Sequence, residues 1–195
     1  MTRTSITMIL AAATVLGLGI ILQVRADGDS NSFSGSKVLF PENYAEGVVY
    51  MTANLPVNPN SRMTGPEHIV QYREYYAATA AIEALRQGVP VPSGTVITMV
   101  QYRAQLDAQG HPLKDANGSF IKGEVFGFRA MEKRTGWGAE YPPEMRNGEW
   151  EFQVFTADKK PNNKANLTSC FQCHKSQANK DFLFTFNKVK AAAAI

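Results

Sequence analysis

The stretch Cys170-Phe171-Gln172-Cys173-His174 places two thiols and an imidazole within five residues. This is the spacing of covalent haem attachment, in which both cysteines bind the macrocycle and the histidine binds the iron. On a helical turn Cys170 and Cys173 lie on one side, and His174 follows directly. The motif therefore predicts one covalently bound haem c, with His174 as the proximal iron ligand.

Three other interpretations use the same thiols: a redox-active Cys-x-x-Cys pair, a local disulfide, and half of a zinc site. None of them requires a histidine at position 174. A four-ligand zinc site would also need His68 or His111, the only other histidines, because the chain has no third cysteine. Haem attachment explains more of the motif, and the other three interpretations stay open at this point.

The N-terminal 26 residues differ in character from the rest of the chain. Arg3 opens a short polar start, an apolar run extends over residues 6–22, and Val24-Arg25-Ala26 offers small residues to a signal peptidase. This pattern predicts a signal peptide over residues 1–26 and a periplasmic location for the folded part. The apolar run is also about long enough to be a retained membrane anchor. Both interpretations place the folded part outside the cytoplasm.

Composition predicts one globular domain in the remaining chain. Of the 195 residues, 44% are hydrophobic and 19% are charged, which is ordinary for a folded protein. Residues 27–37 are rich in Ser, Asp, Asn and Gly and are expected to form a flexible tether before a domain over residues 38–195. Loss of Arg3 and Arg25 with the signal peptide lowers the formal charge from +3 to +1. A nearly neutral chain gives no reason to expect nucleic-acid binding.

Local patterns predict one long helix and several strands. The helix is expected over Thr64–Gln87, because Thr64 and Glu67 form a capping-box pattern and Gly88 follows the end. On this helix His68 would occupy the first turn, where a polar surface role is favoured over iron ligation. Runs of β-branched and aromatic residues predict strands at 48–51, 94–102, 120–133, 150–156 and 182–186.

This arrangement predicts an α+β fold with an antiparallel sheet, flanking helices and a C-terminal haem c attachment motif. There are too few helical stretches for a four-helix cytochrome. Only 21 residues follow His174 and none is methionine, so a methionine ligand to the iron must come from upstream. The candidates are Met51, Met63, Met99, Met131 and Met145.

The chain from Leu39 to Phe184 resembles the cytochrome P-460 and cytochrome c′-beta family. The most specific matching segments are 92–96, 148–152, 170–174 and 181–184. The resemblance implies an antiparallel sheet with flanking helices, a homodimer, and a haem c iron with one protein ligand and one open position. It also implies binding of nitric oxide, and in the P-460 branch the oxidation of hydroxylamine.

Two positions depart from the hydroxylamine-oxidising members of that family. Those members carry a lysine cross-linked to the haem on the strand that here contains Met99, and residues 95–102 contain no lysine. They also carry a glutamate that is thought to move protons, near the position of Arg129. A permanent cation cannot act as a base, but it can donate hydrogen bonds to a bound ligand. Met99 and Arg129 are therefore the candidates for the distal side of the haem, without a cross-link.

Two classes of function follow from these expectations. With an open sixth position, the iron binds a small nitrogen-oxide ligand such as nitric oxide, and an oxidoreductase acting on small nitrogen compounds is a variant of this class. With a methionine as sixth ligand, the protein is an electron carrier that needs a redox partner. A structural or zinc-binding module without haem is a third alternative.

Overall fold

The described residues of the computed structural model, 35–57 and 69–192, form a five-stranded antiparallel sheet in the order β1-β2-β3-β4-β5. Each strand therefore pairs with its neighbours in the sequence, as in a meander. In the part of the chain that the structure describes, three α-helices accompany the sheet, which confirms the predicted α+β fold. The elements are β1 (Val48–Leu55), β2 (Gln71–Ala77), α1 (Thr79–Arg86), β3 (Val96–Ala104), β4 (Lys122–Lys133), β5 (Trp150–Thr156), α2 (Leu167–Lys175) and α3 (Phe186–Ala192).

One face of the sheet carries three adjacent rows of cross-strand partners, because paired residues of neighbouring strands point to the same side. The first row is apolar and buried, the second is half-buried, and the third contains polar residues and lies beyond the second. They are called the apolar, central and polar rows. The apolar row is Ala77, Ile97, Met131 and Phe152; the central row is Met51, Tyr75, Met99, Arg129 and Val154; the polar row is Ala53, Arg73, Gln101, Gly127 and Thr156.

The three helices contribute to the core on this same face. Helices α1 and α3 pack against each other, α3 also contacts β1, and α2 packs on β5. Ile82 and Leu85 of α1 and Phe171 of α2 join the apolar row in one buried cluster. This packing anchors α2, and with it the Cys-x-x-Cys-His motif, at the β5 end of the sheet.

The opposite face is covered by the chain that precedes β1. Phe40 packs edge-to-face on Phe128 and Phe155, with ring centroids 5.0 and 5.2 Å apart. Val38 and Val100 complete this second cluster. Both faces of the central strands are thus buried, which explains the nearly continuous apolar character of β3.

The predicted helix over Thr64–Gln87 is confirmed from Thr79 to Arg86 and is wrong for the described residues before Thr79. Residues 71–77 form β2, and only Thr79–Arg86 is helical. The tyrosines of β2 are spaced so that they fit either period, and pairing with both β1 and β3 decides for the strand. Ala78 has extended backbone angles and separates the two elements.

The predicted strand over residues 182–186 is also wrong. Asp181 and Phe182 both have positive φ angles, 49° and 60°, which no regular strand allows. Helix α3 begins at Phe186 instead. The capping residues Thr64 and Glu67, the predicted signal peptide 1–26 and residues 27–34 of the predicted tether lie outside the described residues. Within residues 35–57 and 69–192, no helix is long and apolar enough to cross a membrane.

Candidate haem site

Helix α2 holds both thiols at the boundary between the core and solvent. The side-chain oxygen of Asn166 caps its first turn by accepting a hydrogen bond from the Ser169 amide. Phe171 is fully buried against Phe152, with ring centroids 4.9 Å apart. Cys170 is half-buried, Cys173 is exposed, and both are free thiols.

A buried asparagine, which sequence reasoning missed, fixes α2 from the loop before β5. Asn147 has no exposed surface, and its amide nitrogen donates to the carbonyl oxygen of Phe171 at 3.0 Å. The contact spans 24 residues. The hydrogen-bonded carbonyl lies between the two cysteines in sequence. Asn147 therefore helps to fix the position of the motif relative to the sheet.

His174 is oriented by a hydrogen bond to a backbone carbonyl. Its Nδ1 lies 2.7 Å from the carbonyl oxygen of Phe182. A carbonyl can only accept, so Nδ1 carries the hydrogen and Nε2 keeps a free lone pair. Burial lowers the pKa of His174, although the hydrogen bond to Phe182 opposes that shift. The neutral ring with a free Nε2 is the form that binds a metal.

Aromatic rings fix the plane of the His174 imidazole. The Phe152 ring of the apolar row lies 4.7 Å from it between centroids, and the Phe184 ring lies 5.1 Å from it in an edge-on arrangement. These contacts leave the imidazole few alternative orientations. A fixed ring orientation is what an axial ligand to iron requires.

The two predicted distal residues, Met99 and Arg129, lie side by side in the central row. Burial raises the pKa of Cys170, and the charge of Arg129 partly opposes this. Cys170 also packs against the buried cluster that contains the apolar row, which lies next to the central row. The structure thus brings Arg129, Met99 and Cys170 to one region of one sheet face.

Two buried glutamines hold arginines at the edge of this region. Arg129 Nε donates to Gln101 Oε1 at 3.4 Å, and Gln101 Nε2 donates to Gln71 Oε1 at 3.3 Å. Arg73 Nε donates to the same Gln71 oxygen at 2.9 Å. Gln71 is 2% exposed. This chain of hydrogen bonds therefore fixes the guanidinium groups of Arg129, in the central row, and of Arg73, in the polar row.

The remaining histidines and methionines differ in their positions. His111 is exposed on the β3–β4 connection, where its Nδ1 lies 3.3 Å from Asp107 Oδ2, so it is not part of the site. Met131 is buried in the apolar row, whereas Met51 and Met99 belong to the half-buried central row. His68 and Met63 lie outside the described residues. Within the described residues, no group of three or more His, Cys, Asp or Glu side chains could hold a metal ion.

These residues fit a haem group in three respects. Two thiols stand three positions apart on a helix, and the neighbouring imidazole has Nε2 free. Beside them lies a row of half-buried side chains, mostly apolar, that offers a wall for a flat macrocycle. Arg73, in the row next to this wall, provides a cation suited to the carboxylates of a haem.

The meander sheet and the helix with its thiols and imidazole define a haem protein of the cytochrome type. The chain belongs to the cytochrome P460 family: the sequence profile of that family, described as Cytochrome P460, matches residues 41–185. The match confirms the resemblance drawn from the sequence and supports haem binding. A search of curated proteins found no match.

Proposed function

We propose that this chain is an exported mono-haem c-type cytochrome whose iron binds a small nitrogen-oxide ligand such as nitric oxide. Cys170 and Cys173 would carry the haem through thioethers, and His174 would be the proximal ligand. The observation that carries this proposal is the 2.7 Å hydrogen bond from His174 Nδ1 to the Phe182 carbonyl, which leaves Nε2 for the iron. When bound, the haem supplies an iron with one position for a small ligand.

The central row supports a site without a lysine cross-link. Strand β3 contains no lysine, and Met99 occupies the position at which the hydroxylamine-oxidising relatives carry theirs. Arg129 is the direct neighbour of Met99 and is a hydrogen-bond donor at every relevant pH. Arg129 would orient a polar ligand on the iron, and it offers no base for the oxidation of hydroxylamine.

An electron-transfer cytochrome is the second candidate function. The observation that favours it is the position of Met51 and Met99 in the half-buried central row, from which a thioether could serve as sixth ligand. A saturated iron of this kind exchanges electrons and does not bind nitric oxide readily. The two candidates therefore predict different spectra.

The charge distribution supports an acidic redox partner. Residues 159–195 contain seven lysines and one acidic residue, Asp181, which is paired with Lys133. Lys164, Lys175 and Lys188 are exposed. Lys159 and Lys160 are paired with Glu42 and Asp158. An excess of exposed lysines in the segment that carries the haem-attachment helix would attract a partner of the opposite charge. We also propose a periplasmic homodimer, as the family resemblance implies, and no nucleic-acid partner.

Absorption spectra of the ferric, ferrous and nitric-oxide-bound protein test the proposal. The expected result is an ordinary haem c spectrum, haem that stays on the protein in acidic organic solvent, and a new ferrous spectrum with nitric oxide. His174→Ala should change the ligand field, and the matched control His111→Ala should not. Haem that is extracted freely would contradict covalent attachment, and a ferrous spectrum insensitive to nitric oxide would favour the electron carrier.

A further inference from the structure

The turn that follows α2 has an unusual backbone at the point where it meets His174. Asp181 and Phe182 are consecutive residues with φ angles of 49° and 60°, in the left-handed region. Asp tolerates this region, whereas a bulky Phe rarely adopts it. Such a conformation persists only where surrounding contacts determine it, and it often accompanies function.

Three contacts fix the Asp181 carboxylate from the sheet. Lys133 Nζ, at the end of β4, donates to Oδ1 at 3.1 Å and to Oδ2 at 2.9 Å. Trp150 Nε1, at the start of β5, donates to Oδ1 at 3.2 Å. Trp150 is fully buried, and the Lys133 side chain is 12% exposed, so neither donor moves freely.

Phe182 is held on its other sides as well. Its amide donates to the Gln177 carbonyl at 2.9 Å, and the next residue, Leu183, is 1% exposed. Its ring lies against Gly148, where an added Cβ would come within 3.0 Å of Phe182 Cε2. With both neighbours and the ring fixed, the carbonyl of Phe182 has one direction available, which is toward His174 Nδ1.

We infer that Asp181 is a positioning residue for the haem: held by Lys133 and Trp150, it aims the Phe182 carbonyl at the proximal imidazole. This inference rests on the proposed role of His174. A hydrogen bond from Nδ1 makes the imidazole a stronger donor to iron and favours the ferric state. The acceptor is the neutral carbonyl of Phe182, and the nearby Asp181 carboxylate is bound to Lys133. His174 would therefore be a stronger donor to iron than a free imidazole and a weaker one than an imidazole bonded to a carboxylate. Lys133 and Trp150 of the sheet would thus influence the midpoint potential of the iron through Asp181 and the Phe182 carbonyl.

The test uses purified holoprotein and the midpoint potential of the iron, together with the iron–histidine stretching frequency of the ferrous state. Asp181→Ala should loosen the carbonyl, lower that frequency and raise the potential. The expected change is about tenfold in the ferrous-to-ferric ratio at fixed applied potential, or about 59 mV for one electron. Asp181→Asn should stay close to the wild type, since an amide oxygen still accepts from Trp150 and Asn tolerates positive φ.

Two further variants separate this role from a general loss of stability. Lys133→Met leaves Asp181 in place and should give a smaller shift in the same direction. Asp158→Ala removes an exposed carboxylate that pairs with Lys160, and it should leave the potential unchanged. Haem content, measured for every variant, shows whether the protein is loaded.

An unchanged potential and frequency in haem-loaded Asp181→Ala would overturn the inference, as would an equal shift in Asp181→Asn. If Asp181→Ala does not fold, an unchanged potential in Lys133→Met would overturn it as well. Wild-type protein without bound haem, or an iron whose ligand field survives His174→Ala, would instead refute the proposed function. The two failures are therefore distinguishable.

Discussion

Met99 of β3 and Arg129 of β4 are direct cross-strand partners in the central row. One has a soft, uncharged side chain and the other carries a permanent charge, and Arg129 acts electrostatically on Cys170. The family resemblance implies an amine and a carboxylate at these positions in the hydroxylamine-oxidising members, whereas this protein has a thioether and a guanidinium. The first two predictions follow from this substituted pair.

Met99 is expected to pack against the haem without binding the iron. Met99→Ala should therefore keep the coordination number of the ferrous haem and its binding of nitric oxide, as judged by absorption spectra. Met51→Ala is the matched control from the same row. A six-coordinate ferrous spectrum that is lost only in Met99→Ala would show that Met99 is the sixth ligand. Sustained turnover of hydroxylamine with an electron acceptor would contradict the expectation of little or no hydroxylamine oxidation.

Arg129 is expected to donate a hydrogen bond to the bound ligand. Arg129→Met should speed the dissociation of nitric oxide from the ferrous iron by about tenfold, which corresponds to about 1.4 kcal/mol. Stopped-flow displacement of nitric oxide measures the rate. Arg103→Met is the control, because Arg103 is an exposed arginine of β3. Equal rates in Arg129→Met and wild type would exclude Arg129 from ligand binding.

Glu74 is expected to stabilise the opposite face of the sheet in a pH-dependent way. It accepts hydrogen bonds from Lys122, Tyr102 and Tyr76, and it is 7% exposed. Burial alone would raise the pKa of Glu74, but these hydrogen bonds outweigh burial and lower it. Burial and the hydrogen bond to Glu74 together raise the pKa of Tyr76 to about 12.

Because the pKa of Glu74 is lower in the folded state, its stabilisation is fully present above the ordinary glutamate value of about 4.3. It is lost as the pH falls through the lowered pKa. Glu74→Gln should cost about 1–3 kcal/mol in the free energy of unfolding at pH 7, and this difference should shrink below about pH 4. Urea unfolding at several pH values measures it. Glu124→Gln, at an exposed position of β4, is the control, and a difference that does not depend on pH would refute the assignment.

The lysines of the C-terminal segment are expected to steer charged redox partners. Reversal to glutamate at positions 164, 175 and 188 should slow electron exchange with ferrocyanide, an anion, and accelerate exchange with hexaammineruthenium, a cation. Both effects should weaken as salt is added. Lys114→Glu is the control, because Lys114 is exposed on the β3–β4 connection. Rates that are indifferent to the charge reversal would remove the case for an acidic partner.

The export segment is expected to be removed after Ala26, since Val24 and Ala26 are the small residues that a signal peptidase recognises. The mass of the protein recovered from the periplasm measures this directly. A mass that includes residues 1–26, together with sedimentation in the membrane fraction, would establish the anchor instead.

Most of the sheet could be predicted from the sequence, since β3, β4 and β5 are rich in β-branched and aromatic residues. Strand β2 was missed because its tyrosines also recur at helical spacing. In the structure Gln71 and Glu74 are buried by partners on other strands. A sequence pattern over ten or so residues cannot include partners about 30 residues away, and these partners favour the strand over the helix.

The candidate site divides in the same way. The residues 170–174 are contiguous, so the sequence alone predicts haem attachment there. Met99 and Arg129 were candidates for the distal side only through the family resemblance, because nothing local relates residues 30 positions apart. Their cross-strand pairing was not predicted. Asn147 was missed as a partner of the motif, and Lys133 was missed as a partner of Asp181, since these hydrogen bonds join residues 24 and 48 positions apart. Only the folded chain reveals them.

The meander order of the strands also has a consequence for the time course of folding. Every strand pairs with the next one along the chain, so the sheet can assemble by closing the loops between neighbouring strands. Helix α2 follows all five strands and docks on β5, the last of them. Because α2 packs on β5, the thiols and the imidazole can take their places only once β5 has joined the sheet.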